Sequence, residues 1–289
     1  MARLDRLGWA AGLSFVCHGA RLGIRSTDPG VLGRVGRHLP PGWHPAALPV
    51  VDALYSLVVG RNGANSPVRH YHLLYANSAR LARTLDLVEA LEAMESDLHS
   101  QVALAARRRL FVHAGVAAYR GRAIVIPGRS GSGNSSLVAA LVRAGATYYS
   151  DEYAVFDARG RVHPYARPLA LRGADASARP SIKLTAEGLG GHTGTRPVPV
   201  ALVVATEYRS EARWRPRVLS PGEGVLALLE HTVLARTRPE LALNTLQHVV
   251  ATATTLKGRR GEAEDIVRLL LDRVAAECVP IARVGARGR

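Results

Sequence analysis

The chain is poor in several things, and each shortage narrows what it can be. Only two of its 289 residues are cysteines, Cys17 and Cys278, so at most one disulfide is available, and free thiols in a reducing cytoplasm are the simpler expectation. Long apolar runs are missing. The longest stretches, 198–206 and 123–127, fall far short of the roughly 20 residues that a membrane-crossing helix needs. Arg3 and Arg6 precede a mildly apolar 7–17 segment that lacks the unbroken core and small-residue cleavage site of a signal peptide, so Leu13–Cys17 is expected to be a first strand. Aromatic residues make up only 5%, and no basic stretch is interleaved with stacking side chains, which argues against a single-stranded nucleic-acid binder. The histidines show no H-x-x-x-H spacing and the cysteines no C-x-x-C, so no transition-metal site is expected. There is no internal repeat. Lysine is nearly absent too: of 38 basic residues only Lys183 and Lys257 are lysines.

What the chain does have is positive charge. A formal net charge of +15 favours anionic partners such as nucleotides, acidic peptides or anionic surfaces. A coding bias toward arginine accounts for it equally well. Apolar residues make up 47%, ordinary for a globular protein, and the length suits one large domain or two smaller ones.

The pattern along the chain predicts two α/β units, 1–105 and 106–289. In the first, Leu13–Cys17 and Arg21–Arg25 flank a turn at His18–Ala20, and Asp28-Pro29-Gly30 opens a short helix that stops before Pro40. The apolar run 51–59 fits a strand or a buried helix. Residues 60–67 are turn-rich, and 71–76 alternate as a strand does. Asp86 with Glu89 looks like a capping box ahead of Leu87, Leu91, Met94, Leu98 and Val102, which recur at helical spacing. In the second unit, 110–112, 116–119 and 123–127 are strand-like, with a turn at Arg120-Gly121. Helices are predicted from Ser135 to Arg143, from Ser220-Pro221-Gly222-Glu223 onward, and over 240–254 and 262–276. Residues 148–150, 154–157 and 162–165 read as strands, and the β-branched run 198–208 reads as a central one. Residues 174–180 and 188–196 are expected to be loops.

The chemistry centres on Gly128-Arg129-Ser130-Gly131-Ser132-Gly133-Asn134-Ser135, followed by Ser136. It fits G-x-x-x-x-G-K-[ST] at every fixed position except the lysine, and it lies between a predicted strand and a predicted helix. In such a loop the glycines let backbone N–H groups turn inward, and the helix N-terminus adds its positive dipole end, which together cradle a polyphosphate such as that of ATP. Ser135 is placed to ligate Mg2+. Asn134 stands where a lysine would bridge β- and γ-phosphate oxygens; it carries no charge and reaches less far. Simple loss, loss with an arginine standing in, and deliberate inactivation all leave this pattern.

Two more features flank the loop. His113 lies fifteen residues before Gly128 in Val112-His113-Ala114-Gly115, and Asp151 lies fifteen after Ser136 in Ser150-Asp151-Glu152. The ordered set "H-x-G, G-x-S-G-x-G-[K]-S, S-D-[DE]" resembles the HPr kinase/phosphorylase family, most of all its shorter HPr-kinase-like members, some of which phosphorylate serine in modified-peptide pathways. The likeness covers about 110–171. It implies a P-loop, HPr-kinase-like C-terminal domain behind a small N-terminal α/β domain, and an ATP- and Mg2+-dependent kinase of a serine or threonine hydroxyl on a peptide or small protein. It further implies that Asp151 takes the proton from the acceptor hydroxyl, that Glu152 serves the metal together with Ser135, and that His113 lies beside the phosphates; the family commonly forms homo-oligomers. The family's signature after the acidic pair survives only as Leu171-Arg172-Gly173, which speaks against phosphorolysis but keeps Arg172 as a phosphate contact. Arg129 and Lys183 are lesser candidates. An acidic or phosphorylated partner suits the charge. The rival reading is a non-catalytic nucleotide-binding module that holds the same peptide as a scaffold or regulator, which Asn134 favours.

Overall fold

The computed structural model describes residues 4–47, 49–60, 70–129, 131–171 and 182–277. Ser130, Arg172, the expected loop at 174–180, most of the turn-rich 60–67 segment and Cys278 lie outside them. The chain is mixed α/β and divides into two compact units, Met1–Arg109 and Leu110–Arg289.

The first unit is a six-stranded sheet with one long helix. Strands β1 (Ala11–Cys17) and β2 (Ala20–Ser26) form the predicted hairpin, turning at His18 and Gly19, both at positive φ. Asp28 caps the next turn by accepting from the Gly30 amide, and the short helix α1 (Leu32–Val35) follows, flanked by 3-10 turns. Strands β3 (Trp43–Pro45), β4 (Ala53–Val58), β5 (His72–Ala76) and β6 (Ala79–Thr84) complete the order β3-β1-β2-β4-β5-β6, in which only β2 and β4 run parallel. The ambiguous run at 51–59 is thus a strand. Helix α2 (Leu87–Ala105) lies against β2, β5 and β6 and buries Leu91, Met94, Leu98 and Val102 as the spacing predicts. Its cap differs from expectation. Asp86 accepts from the Val88 amide, but Glu89 takes its hydrogen bond from the Thr84 hydroxyl rather than from the Asp86 amide, so the box is not closed. Cys17 is buried in this unit, and burial pushes its thiol up to about 12, which keeps it protonated.

In the second unit a mixed sheet is covered by helices on both faces. Its strands are β7 (Leu110–Tyr119), β8 (Arg122–Pro127), β9 (Thr147–Ser150), β10 (Tyr153–Phe156) and β11 (Val162–His163). A separate two-stranded ladder pairs β12 (Leu169–Leu171) with β13 (Ile182–Leu184), and the main sheet continues with β14 (Val200–Tyr208), β15 (Arg217–Val218) and β16 (Thr254–Arg260). The order is β11-β10-β7-β8-β14-β16-β15, with β9 also on β7. The chain reverses between β7 and β8 at Arg120 and Gly121, both at positive φ, as a two-residue hairpin turn demands. Strands β8, β14 and β16 run parallel, so their C-terminal ends open on one edge.

Side chains alternate across this sheet with period two. Ala117, Ile124, Ile126, Leu202 and Val204 face α3 (Asn134–Arg143) and α6 (Glu264–Glu277). Val112, Val116, Val125 and Val203 face α4 (Pro221–Leu229) and α5 (Pro239–Thr252). Each large aliphatic side chain so buried contributes roughly 1.5–3 kcal/mol, which makes these two layers the main source of the unit's stability. At the start of α4, Ser220 and Glu223 form the predicted capping box in full.

Two further features, both in this unit, depart from the sequence expectation. The runs 110–112 and 116–119 are one ten-residue strand, because Ala114 and Gly115 continue the ladder between them. Helix α5 ends at Thr252, and 254–260, whose Thr-Thr-Leu-Lys-Gly-Arg-Arg pattern carries little strand signal, is the parallel strand β16.

Candidate functional site

The long strand β7 explains why residues far apart in sequence meet. One edge of β7 pairs with β8, placing Ala114 beside Pro127 and Gly115 beside Ile126, so the glycine loop leaves β8 next to Ala114. Its other edge pairs with β9 up to Ser150 opposite Val116, and with β10 from Tyr153 opposite His113. Asp151 and Glu152 occupy the break between those ladders, facing Ala114 and Gly115; the Ala114 amide donates to the Glu152 carbonyl at 3.1 Å. Loop and acidic pair therefore flank the same two residues from opposite sides. Gly115 has to be glycine there, because a Cβ would lie 2.6 Å from Val138 Cγ2 of α3, with Asn134 Cβ 3.5 Å away.

The His113 backbone fastens this junction. Its carbonyl accepts from the Gly128 amide (3.1 Å), and its amide donates to the His231 carbonyl (2.9 Å). The imidazole packs on the Tyr153 ring with centroids 4.7 Å apart. Burial, then the nearby His231, pushes His113 below the ordinary imidazole value. His231 is lowered as well, by burial and by Arg129, against the opposing pull of Glu230. Both rings are thus neutral at neutral pH and can exchange hydrogen bonds but supply no charge.

The loop itself is a tight turn into α3. Gly131 and Gly133 have φ of +87° and +86°, a region that favours glycine, and Gly133 is the N-cap residue of α3. A Cβ on Gly128 would meet Ser132 Oγ at 2.6 Å and the Asn134 amide group near 3 Å, so the concavity of the loop leaves no room for one. Asn134 is buried, and its Nδ2 donates to the Gly128 carbonyl at 3.3 Å. The residue at the lysine position is thus folded back to brace the loop. Ser132 Oγ is buried with no hydrogen-bond partner among the described residues. Arg129 and Ser136 are exposed.

Across the mouth of the loop, Ser135 Oγ donates to Asp151 Oδ2 at 2.9 Å. The Tyr148 hydroxyl lies 3.0 Å from Asp151 Oδ1 and 2.8 Å from the Arg167 carbonyl, and shares its one proton between them. Burial and the Asp151 charge keep that phenol protonated. Glu152, the expected metal carboxylate, forms an ion pair with Arg167 instead, and the carboxylate on Ser135 is Asp151. Lys183 is on β13, opposite Ala170. No group of three or more His, Cys, Asp or Glu side chains suited to a metal ion occurs among the described residues.

No protein-family model matches this chain, and no curated protein matches it either.

Three participants were not apparent from the sequence. His231 follows α4 and has no motif around it. Tyr148 stands three residues before Asp151 on an ordinary strand. Arg260 closes β16, a strand without a sequence signature. Arg260 is 2% exposed, and its Nη2 donates to the Gly133 carbonyl at 2.9 Å.

Chemically, the arrangement presents a glycine loop running into a helix N-terminus, a hydroxyl hydrogen-bonded to a carboxylate, and two neutral imidazoles on segments tied to the strand beside it. Donation to Asp151 leaves the Ser135 oxygen lone pairs for a cation, while Asp151 keeps lone pairs to accept a further proton. A single hydroxyl and one carboxylate are a poor cage for a transition metal. They suit Mg2+, which keeps several waters and takes its other ligands from phosphates. By that test the residues present fit a Mg2+-polyphosphate.

Proposed function

We propose that this chain is an ATP- and Mg2+-dependent phosphotransferase acting on a serine or threonine hydroxyl of a peptide or small protein, with an HPr-kinase-like arrangement of its second unit. The observation that carries the reading is the Ser135–Asp151 contact at the mouth of the glycine loop. It brings the expected metal-binding hydroxyl and the expected base together from positions sixteen residues apart. In this reading amides of the loop and of the α3 N-terminus, other than those of Gly128 and Ser132, which donate to the His113 and Arg129 carbonyls, would hold the phosphates, and Ser135 with Asp151 would hold Mg2+. Asp151 also receives the acceptor proton, and Tyr148 and Arg167 fix the acidic pair. Mg2+, when bound, neutralises charge on the phosphate oxygens. The net positive charge of the chain suits an acidic acceptor.

Asn134 lowers the rate without removing the cradle. Loss of one charge-stabilising donor costs roughly 10²–10³-fold in turnover, while backbone amides retain much of the binding. Titration calorimetry with MgATP, and phosphate transfer to water and to a panel of acidic serine peptides, test this on the protein and on Asn134→Lys. The expected result is binding by both, with turnover rising by roughly 10²–10³ in the variant. Adding Asp151→Asn should then abolish transfer and, with one Mg2+ ligand gone, weaken MgATP binding while leaving metal-free ATP affinity within a few-fold. Absence of MgATP binding in both folded proteins would remove the reading.

A second reading, a nucleotide-binding scaffold that has given up catalysis, is favoured by the Asn134 side chain being committed to the Gly128 carbonyl. Binding without turnover in Asn134→Lys selects it.

A further inference from the structure

The loop lacks its lysine, and a buried cation beside it forms no ion pair among the described residues. Arg260 is the last residue of β16, two strands from β8 in the sheet order, and its side chain reaches past the end of β14 to the loop. Its Nη2 donates to the Gly133 carbonyl (2.9 Å) and its Nη1 to the Gly261 carbonyl (3.0 Å); its Nε has no partner among the described residues. The guanidinium lies 5.5 Å from the centroid of the Tyr208 ring. No carboxylate among the described residues forms an ion pair with it, and Glu262, the nearest acid in sequence, accepts from the Tyr208 hydroxyl. At 2% exposure this is a buried positive charge whose hydrogen bonds go to two neutral carbonyls; burial disfavours the charge, and Glu262 and Glu264 oppose that without forming an ion pair with it. Such a charge costs several kcal/mol unless it is compensated. The contact is also close-fitted, since a Cβ on Gly133 would lie 2.6 Å from Arg260 Nη2.

Ser132 Oγ in the loop and Thr206 Oγ1 on β14 are also buried without hydrogen-bond partners among the described residues. Thr206 stands three residues beyond the Val203–Val125 pair, as Gly128 does, so it is level with the start of the loop. Three such atoms, one of them on a charged group, thus lie on the loop, on β14 and on β16.

We infer that Arg260 supplies, from beneath the loop, the positive charge that Asn134 does not, and that the anion it serves is the polyphosphate held by the loop. The assignment rests on the reading of 128–136 as a nucleotide loop. Arg260 acts as a positioning residue: through the Gly133 carbonyl it fixes the first turn of α3, and its charge adds to the positive end of that helix. A purely structural brace would need the two hydrogen bonds but not the charge.

The test is MgATP and adenosine binding by titration calorimetry to the wild-type chain, Arg260→Lys, Arg260→Met, Asn134→Lys and the double variant Asn134→Lys/Arg260→Met. A unit charge at about 10 Å in an effective dielectric near 20 is worth on the order of tenfold in affinity. Arg260→Met should therefore weaken MgATP on the order of tenfold and leave adenosine unchanged. Arg260→Lys, which keeps the charge without the fork, should stay within about threefold of wild type. In the Asn134→Lys background the effect of Arg260→Met should shrink to about twofold, because the charge is then duplicated. Equal MgATP loss in both backgrounds would make Arg260 a brace and overturn the inference, as would unchanged binding by Arg260→Met. If Arg260→Met does not fold, Arg260→Lys still decides: a tenfold loss there means the fork matters and the charge does not. Wild-type protein that binds adenosine but not MgATP, or neither, overturns the nucleotide-loop reading and this inference with it. Wild-type binding with unresponsive Arg260 variants overturns only the inference.

Discussion

At the scale of single residues, the site is built on glycines whose absent side chains are occupied by others. Gly133 is the sharpest case, with φ of +86° and Arg260 Nη2 where a Cβ would go. An alanine there meets both a left-handed backbone penalty of about 1–2 kcal/mol and a clash with a buried guanidinium. Gly133→Ala should lower the unfolding free energy by about 2 kcal/mol in urea titration and weaken MgATP binding more than it lowers stability would suggest, since the loop must shift. Wild-type affinity in that variant would show the loop to be more tolerant than its geometry implies. Glu152 gives a second prediction. Its carboxylate is paired with Arg167, whose carbonyl in turn accepts from the Tyr148 hydroxyl that also reaches Asp151. Glu152→Gln should leave MgATP affinity within a few-fold but lower turnover measured in the Asn134→Lys background, because Arg167 and then Asp151 lose their fixed positions. A rise in the MgATP dissociation constant without a change in turnover would put Glu152 at the metal, where the sequence resemblance has it.

At the scale of elements, β7 and α3 make the site. Helix α3 crosses β7 at Gly115, and the close approach sets the height of the loop above the sheet. Gly115→Ala should cost about 1–3 kcal/mol by overpacking against Val138. Combining it with Val138→Ala should recover part of that cost, a non-additivity measurable as a double-mutant cycle; strict additivity would mean that the two do not touch. The same elements show what could be read from the sequence. Loop, preceding strand and following helix were legible because glycine spacing and a change of period from two to 3.6 are local signals. So were the capping box of α4 and the turn at Arg120-Gly121. The continuity of β7 was not, since His113-Ala114-Gly115 interrupts the apolar pattern and is held as strand by β8 on one side and by Glu152 on the other. Nor was β16. Its Lys257, Gly258, Arg259 and Arg260 carry little strand propensity, and only pairing with β14 makes them extended. Arg260 stayed hidden with its strand. His231 and Tyr148 stayed hidden because their roles come from tertiary proximity to His113 and Asp151.

At the scale of the whole molecule, the histidines give the fold a pH dependence that its arginine-rich surface does not. His113 and His231 in the second unit, and His72 in the first, are all pushed below the ordinary imidazole value. Burial is the leading cause in each; His231 adds to it for His113, Arg129 for His231 and Arg34 for His72. A histidine with a lowered native value is neutral in both states well above about pH 6.5, so it then places no acid burden on the fold. As pH falls through that value the unfolded chain takes up protons that the native chain resists, and stability is lost until the lowered native values are reached. The urea midpoint should therefore be flat from pH 8 to 7 and decline between about pH 6.5 and 5, before the carboxylates titrate. His231→Asn should reduce that decline and raise the native value of His113 by removing a neighbour that disfavours its charge. The same variant keeps Asn134, Ser135 and Asp151 in place, so its MgATP affinity at pH 7.5 should match wild type. A midpoint that does not move between pH 7 and 5.5 would mean that the three rings are more solvated than their packing indicates, and the claim that the two imidazoles on segments tied to β7 are neutral would fall with it.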